Sequence, residues 1–255
     1  MKILANIPAG WIFLNSLRRI RKERLLVLEA RKVGDYEAEQ EHILNCTKKW
    51  GPMIMNEFGA TIHTFGEENI PEEGPVVMVG NHQGYADILT YLAVFHNYQF
   101  GFVAKEELSK IPFFGSLTTA IRSVFIERDH PRGALKAINA GIENINNGFS
   151  MAIFPEGHRS MGKAPREFQR GSLKLATKPG VPIVPVSIHG TYKMYEQDGY
   201  FHGADVYIKI HPPIPTAGLS HKEEKELNTQ VEKIIVDGVY ELAELAGDKL
   251  EKPEE

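Results

Sequence analysis

Cysteine is almost missing from this 255-residue sequence, where Cys46 stands alone, so no internal disulfide can form. Long hydrophobic runs are missing too. The stretch ILANIPAGWIFLNSL, residues 3–17, is broken by Asn6, Pro8, Gly10 and Asn15, and it falls short of the roughly 20 apolar residues a membrane-spanning helix needs. No segment joins a charged start, an apolar middle and a small-residue cleavage site as a secretory signal does, which predicts the cytoplasmic side. Nor is there an excess of positive charge. With 29 Lys and Arg against 33 Asp and Glu the net charge is -4, and without a cationic excess no nucleic-acid partner is expected. Internal repeats and low-complexity segments are also lacking. What is present in quantity is apolar residue, 42% of the chain, enough to bury a full core and to exclude a disordered chain.

The charge that exists is unevenly spread. Between Met1 and Lys32, the residues Lys2, Arg18, Arg19, Arg21, Lys22, Arg24, Arg31 and Lys32 oppose only Glu23 and Glu29, a local excess of about six. With Trp11 and Phe13 nearby, this pattern predicts a segment that lies in a membrane interface against anionic head groups. The plainer alternative is a helix packed on the protein's own core. Leu14, Leu17, Leu25 and Leu28, then Ile43, Leu44 and Ile54, recur at helical spacing, and Gly34-Asp35 breaks the pattern. Two helices joined by a short turn, an appendage over residues 1–58, are expected.

From Ala60 the period changes. ATIHTFG (60–66) alternates as a half-buried strand does, and PVVMVG (75–80), FGFVAK (100–105), SVFIER (123–128), SMAIFPEG (150–157), VPIVPVSIHG (181–190) and VYIKIHPPIP (206–215) read as further strands. Helices are expected at about 87–98, at 133–148, and at 220–245, where Ser-x-x-Glu supplies a capping signal and Leu227, Val231, Ile234, Ile235, Val239, Leu242 and Leu245 form a stripe. Strands trading places with helices predict an α/β fold over residues 59–247, a largely buried mixed sheet flanked by helices. Residues 248–255 should fray.

Ligands of open α/β sheets bind beyond the carboxyl ends of strands, and polar residues collect there: His82 and Asp87, Lys105, Arg128, then Glu156, His158 and Arg159. On one continuous helix, residues five apart point about 140° from each other, so His82 and Asp87 can meet only across a turn. Gly84 permits one, and a carboxylate is favoured near a helix start. Asp87 could then hold one imidazole nitrogen and leave the other to take a proton. No G-x-S-x-G elbow supplies a nucleophile, so the nucleophile would be a hydroxyl of the substrate. The simpler alternative makes Asp87 a helix cap and His82 a satisfied strand-end histidine. FPEGHRS favours chemistry: Gly157 permits a tight turn, and the planar guanidinium of Arg159 suits the paired oxygens of a phosphate.

NHQGYAD, AKEELSKIPFFG with VFIERD, FPEGHRS and VPIVPVSIHG stand in the order and approximate spacing of the four sequence blocks of the lysophosphatidate and glycerol-3-phosphate acyltransferase family, which the chain resembles over about Ala60 to Pro215. The resemblance implies transfer of an acyl group from acyl-CoA or acyl-carrier protein, as co-substrate, to the free hydroxyl of 1-acyl-glycerol-3-phosphate, with no metal, cofactor or acyl-enzyme. It implies His82 as general base and Asp87 as its orienter; Lys105, Arg128 and Arg159 would hold the phosphate, Glu156 and Gly157 would shape that pocket, and Pro185 would line an apolar acyl site. Backbone donors at the helix start would stabilise the oxyanion. Gly84, Ala86 and His158 depart from the family's usual Ser, larger apolar residue and Thr, and they bear on which acceptor is used. His158 beside a phosphate could add charge below about pH 6.5. A glycerol-3-phosphate or other lysophospholipid acyltransferase is the alternative within enzymes, and a non-catalytic phospholipid-binding protein the alternative outside them. A serine hydrolase would lack its nucleophile elbow. Membrane association at the cytoplasmic face, through the N-terminal segment, completes the expectation.

Overall fold

The computed structural model describes residues 6–111, 114–126, 131–169 and 171–251. Among the described residues three helices come first: α1 (Ile7–Arg19), α2 (Arg21–Val33) and α3 (Tyr36–Glu57). There follow β1 (Thr61–Phe65), β2 (Val77–Gly80), α4 (Ala86–Val94), β3 (Phe100–Lys105), α5 (Glu106–Ser109), α6 (Phe114–Ala120), β4 (Val124–Ile126) and α7 (Pro131–Asn146). Then come β5 (Ser150–Ile153), α8 (Lys174–Thr177), β6 (Ile183–His189), β7 (Asp205–Ile210) and α9 (His221–Leu245).

The described part of the N-terminal segment has three helices where the leucine pattern predicts two. The expected break is present: Gly34 ends α2 in the left-handed region, and the Asp35 carboxylate accepts the Ala38 N–H to open α3. A second break falls at Ile20, where a non-helical backbone turns the side chain into the core. Of the four leucines in that pattern between residues 14 and 28, Leu17 is buried, whereas Leu14, Leu25 and Leu28 face outward. Leu17, Ile20, Val27, Ile43 and Trp50 pack in one cluster with Met78, Phe100 and Val186 of the sheet. Helices and sheet thus share a core. Glu39 of α3, fully buried, strengthens the joint by receiving Arg31 at 2.7 Å and both Nε and Nη2 of Arg122 at 2.8 and 2.7 Å. Removing one member of such a buried pair costs about 3–5 kcal/mol, because the other is left uncompensated.

The seven strands run β1-β7-β6-β2-β5-β3-β4. All neighbours are parallel except β6 and β7. Burial on both faces explains the unbroken apolar run of β2: Val76 and Met78 join the core beneath the N-terminal helices, while Val77 and Val79 join a second core with Leu227, Val231 and Ile235 of α9. The capping box at Ser220 and Glu223 forms as the sequence predicts. Leu245, the last member of the expected stripe, is exposed. No helix among the described residues is long and apolar enough to cross a membrane.

Topology now fixes where chemistry can gather. Because β6, β2, β5, β3 and β4 are mutually parallel, the segments leaving their carboxyl ends emerge on one edge of the sheet. Gly51 of α3 then seats α4, since a Cβ there would come within 2.1 Å of the Leu92 carbonyl oxygen. Close approach of the two helices brings the first turn of α4, with Asp87, to that edge.

Candidate active site

The segment NHQG, residues 81–84, leaves β2 at this edge, and every side chain in it has a task. Asn81 bonds both the N–H and the carbonyl of Ile188 on β6, at 2.8 and 2.9 Å. Gln83 accepts the Gly190 N–H at 2.9 Å and lies 3.2 Å from Nδ1 of His189. With its ends held so, the turn brings Nδ1 of His82 to 2.5 Å from Oδ2 of Asp87. That oxygen also accepts the backbone N–H groups of Gln83 and Gly84, at 2.7 and 3.0 Å, and Oδ1 accepts the Thr191 hydroxyl. Asp87 is therefore a helix-start acceptor and a histidine partner at once.

Nδ1 of His82, donating to a carboxylate, carries a proton, and in the neutral ring that tautomer has its lone pair on Nε2. Among the described residues nothing occupies Nε2. The ring stacks on Phe154 with centroids 4.6 Å apart and planes 10° from parallel, and its side chain retains 13% exposure. One face is covered, one nitrogen is fixed, and the other is open. Cys46 offers no rival nucleophile: it is buried, and burial pushes its thiol up to about 12.

FPEGHRS grips the same turn from the end of β5. Glu156, 1% exposed, accepts the His82 N–H at 2.7 Å with one oxygen and the Arg166 N–H at 2.8 Å with the other. Both oxygens are thus engaged by backbone, so Glu156 shapes the site by clamping His82. Burial raises its carboxyl to about 7 against the pull of those two N–H donors. Gly157 takes φ +70, a conformation glycine adopts without steric cost. The turn lets Ser160 and Met161 donate to the His82 and Gln83 carbonyls at 2.7 and 3.1 Å.

Arg159, between these contacts, is brought beside the histidine turn. Its guanidinium lies 3.7 Å from the centroid of the Tyr85 ring, and Nη1 is 2.5 Å from Oε1 of Glu196. The other expected cations are placed differently. Lys105 ends β3, half-exposed and paired with Glu107 at 2.7 Å. One strand, β5, separates β3 from β2, which sets their ends roughly 10 Å apart. Arg128 lies outside the described residues. Pro185 is buried within β6 beside Val79, and its carbonyl accepts the His211 N–H at 2.9 Å. Its surroundings are those of the sheet interior.

The helix-start donors expected to meet an oxyanion are already committed, those of Gln83 and Gly84 to Asp87 and that of Tyr85 to Glu196 at 2.9 Å. Thr191, Glu196, Asn81 and Gln83 were not legible as site residues. Asn81 and Gln83 sit inside the quoted motif, but their partners lie 107 residues away, and Thr191 is 104 residues from Asp87. No local pattern marks such pairs.

A family model described as Acyltransferase matches residues 61–189. A 1-acyl-sn-glycerol-3-phosphate acyltransferase of Borreliella burgdorferi is 35% identical over 70% of this chain and 71% of its own length. A chloroplastic enzyme of the same name from Brassica napus is 32% identical over 70% of this chain, which spans 52% of that relative. The crystal structure of the 1-acyl-sn-glycerophosphate acyltransferase of Thermotoga maritima is similar at a TM-score of 0.72 and 30% identity, covering 99% of this chain and 100% of that one.

Proposed function

This chain belongs to the acyltransferase family, and from that premise we propose that it moves a fatty acyl group from acyl-CoA or acyl-carrier protein to the free hydroxyl of 1-acyl-glycerol-3-phosphate, forming phosphatidate. The observation that carries the reading is the open Nε2 of a His82 ring whose Nδ1 is held by buried Asp87. In the reaction, Nε2 takes the hydroxyl proton while the oxygen attacks the thioester carbonyl. A new C–O bond forms, the C–S bond of the tetrahedral intermediate breaks, and the thiolate leaves with the proton returned from His82. Arg159 holds the acceptor's phosphate and so fixes the attacking hydroxyl, which contributes through proximity. Lys105 and Arg128 would add charge to the same head group, and Pro185 would back the acyl side.

Membrane association belongs to the same proposal. Ile7, Trp11, Leu14, Leu25, Leu28 and Val33 are exposed on α1 and α2, and exposed Arg18, Arg21, Lys22 and Lys32 accompany them. Apolar side chains with cations among them suit an anionic lipid surface, from which the acceptor would enter and to which a two-tailed product would return. The cytoplasmic face is the side this reading assigns.

Thiol release from acyl-CoA in the presence of 1-acyl-glycerol-3-phosphate tests the role of His82. His82→Ala should lower kcat by roughly 10²–10⁴ with the thermal unfolding transition retained. Transfer at the wild-type rate by a folded His82→Ala protein would remove the base, and lipid binding without thioester consumption by the wild type would favour a binding protein.

A further inference from the structure

The cation that faces the proposed phosphate already has an anion on it. Glu196, its side chain 2% exposed, sets Oε1 between Nη1 of Arg159 at 2.5 Å and the Tyr85 N–H at 2.9 Å. Its Oε2 is buried with no partner among the described residues. Burying a carboxylate with an unsatisfied oxygen is costly, so its presence calls for a compensating use. Burial raises the Glu196 carboxyl above its usual range, against the opposing effects of the Tyr85 N–H and Arg159.

Gly84 is what admits it. A Cβ on residue 84 would lie 2.5 Å from Oε2 of Glu196 and 3.0 Å from its carboxyl carbon. The turn that carries the histidine therefore leaves the space that the carboxylate fills. Arg159 in turn has one amino group on Glu196 and one face on Tyr85, while Nε and Nη2 have no partner among the described residues. An edge with two N–H groups remains for two phosphate oxygens, but the charge behind that edge is partly offset.

We propose that Glu196 is a specificity-determining residue of the head-group site: it orients Arg159 and offsets its charge, so that the site admits singly charged phosphodiester lysophospholipids beside the doubly charged phosphomonoester. The proposal rests on Arg159 receiving the acceptor's phosphate. A phosphomonoester has an additional negative charge to lose to Glu196, and a diester has less. Removing the Glu196 charge should therefore favour the monoester selectively. One unit charge felt across ~6 Å in a partly screened site corresponds to roughly five- to twentyfold in relative rate.

The full chain is assayed in mixed micelles at pH 8, well above the second phosphate pKa of about 6, with 1-acyl-glycerol-3-phosphate and with 1-acyl-glycerophosphoglycerol. The ratio of their kcat/KM values is the readout, because a general loss of activity cancels from it. Wild type should show a ratio within about tenfold of unity. Glu196→Gln, which keeps a carbonyl oxygen for Arg159 and Tyr85, should raise the ratio roughly five- to twentyfold. Gly84→Ala, whose methyl group would displace the carboxylate, should move it in the same direction. Arg159→Ala should raise KM for both acceptors. If Arg159→Ala leaves both KM values unchanged, the phosphate reading itself fails. If Arg159→Ala behaves as expected but folded Glu196→Gln keeps the wild-type ratio within twofold, Glu196 is not a determinant. Should Glu196→Gln fail to fold, Gly84→Ala and the wild-type ratio decide, and a wild-type preference for the monoester above about a hundredfold overturns the proposal.

Discussion

Two histidines in this fold are paired with aspartates at the ends of neighbouring parallel strands, His82 just beyond β2 and His189 closing β6. Each contact is short, 2.5 Å for His82 and Asp87 and 2.7 Å for His189 and Asp248. The consequences are opposite. His189 has both ring nitrogens engaged, Nε2 by Asp248 and Nδ1 beside the Gln83 amide, and burial lowers its pKa despite the nearby carboxylate. His82 has one nitrogen engaged and one open. Asp248 lies near the surface and is shared with Lys193, whereas Asp87 is fully buried and receives four donors. The same residue pair therefore leaves one histidine with both ring nitrogens engaged and the other with one nitrogen unoccupied.

The largest effect that would sharpen this contrast is expected at Asp87. Asp87→Asn places an amide among four donors that need acceptors, and His82 loses the partner that fixes its tautomer. Steady-state acyl transfer should fall by roughly 10²–10⁴ in kcat/KM. If His189→Asn reduces transfer by as much, the distinction between the two pairs collapses.

Next in size is an effect of pH on stability. His211 is buried and bonded to Ser187 at 2.8 Å, no carboxylate among the described residues bonds its ring, and burial pushes it down to about 4 against the weaker pull of Glu241; His189 shifts in the same direction. For a histidine with a lowered folded pKa, the unfolded chain binds more protons below about 6.5, so its stabilising contribution is complete above that pH and is lost as pH falls toward about 4. Urea unfolding of wild type and His211→Gln between pH 7 and 4.5 should show the wild type losing about 2 kcal/mol more than the variant over this window. Parallel curves would show that His211 is solvated in the fold.

The smallest change is expected at Asp248. Its side chain is 28% exposed, and partly solvated ion pairs contribute little, about 0–1 kcal/mol. Asp248→Asn should leave kcat/KM within about twofold and shift the unfolding free energy by no more than about 1 kcal/mol. A loss like that of Asp87→Asn would mean that the second pair acts on the chemistry through Gln83.

Local features were legible in proportion to how local their physics is. The strand β1, the unbroken apolar run of β2 and the capping box at Ser220 follow from interactions within a few residues, and each element falls within about two or three residues of its expected ends, although the expected alternation of burial along β1 does not appear, since its middle three residues are half-buried and Thr61 and Phe65 are both exposed. The His82–Asp87 pairing could be read because a five-residue turn closes it. Glu156 was visible as a site residue, but its work as a clamp on the His82 N–H depends on β5 lying beside β2. Glu196 gave no sign in the sequence, because its contacts with Tyr85 and Arg159 span 111 and 37 residues.

Taken alone, the order of residues determined the alternation of strands and helices and placed His82, Asp87, Glu156 and Arg159 just beyond strand ends. Tertiary structure decided which groups are left with a free valence: Nε2 of His82 is open while both nitrogens of His189 are engaged, and Arg159 is offset by Glu196. The physical reason is that periodicity and turn preference act over a few residues, whereas hydrogen-bond saturation and burial are set by whatever the packed sheet brings alongside.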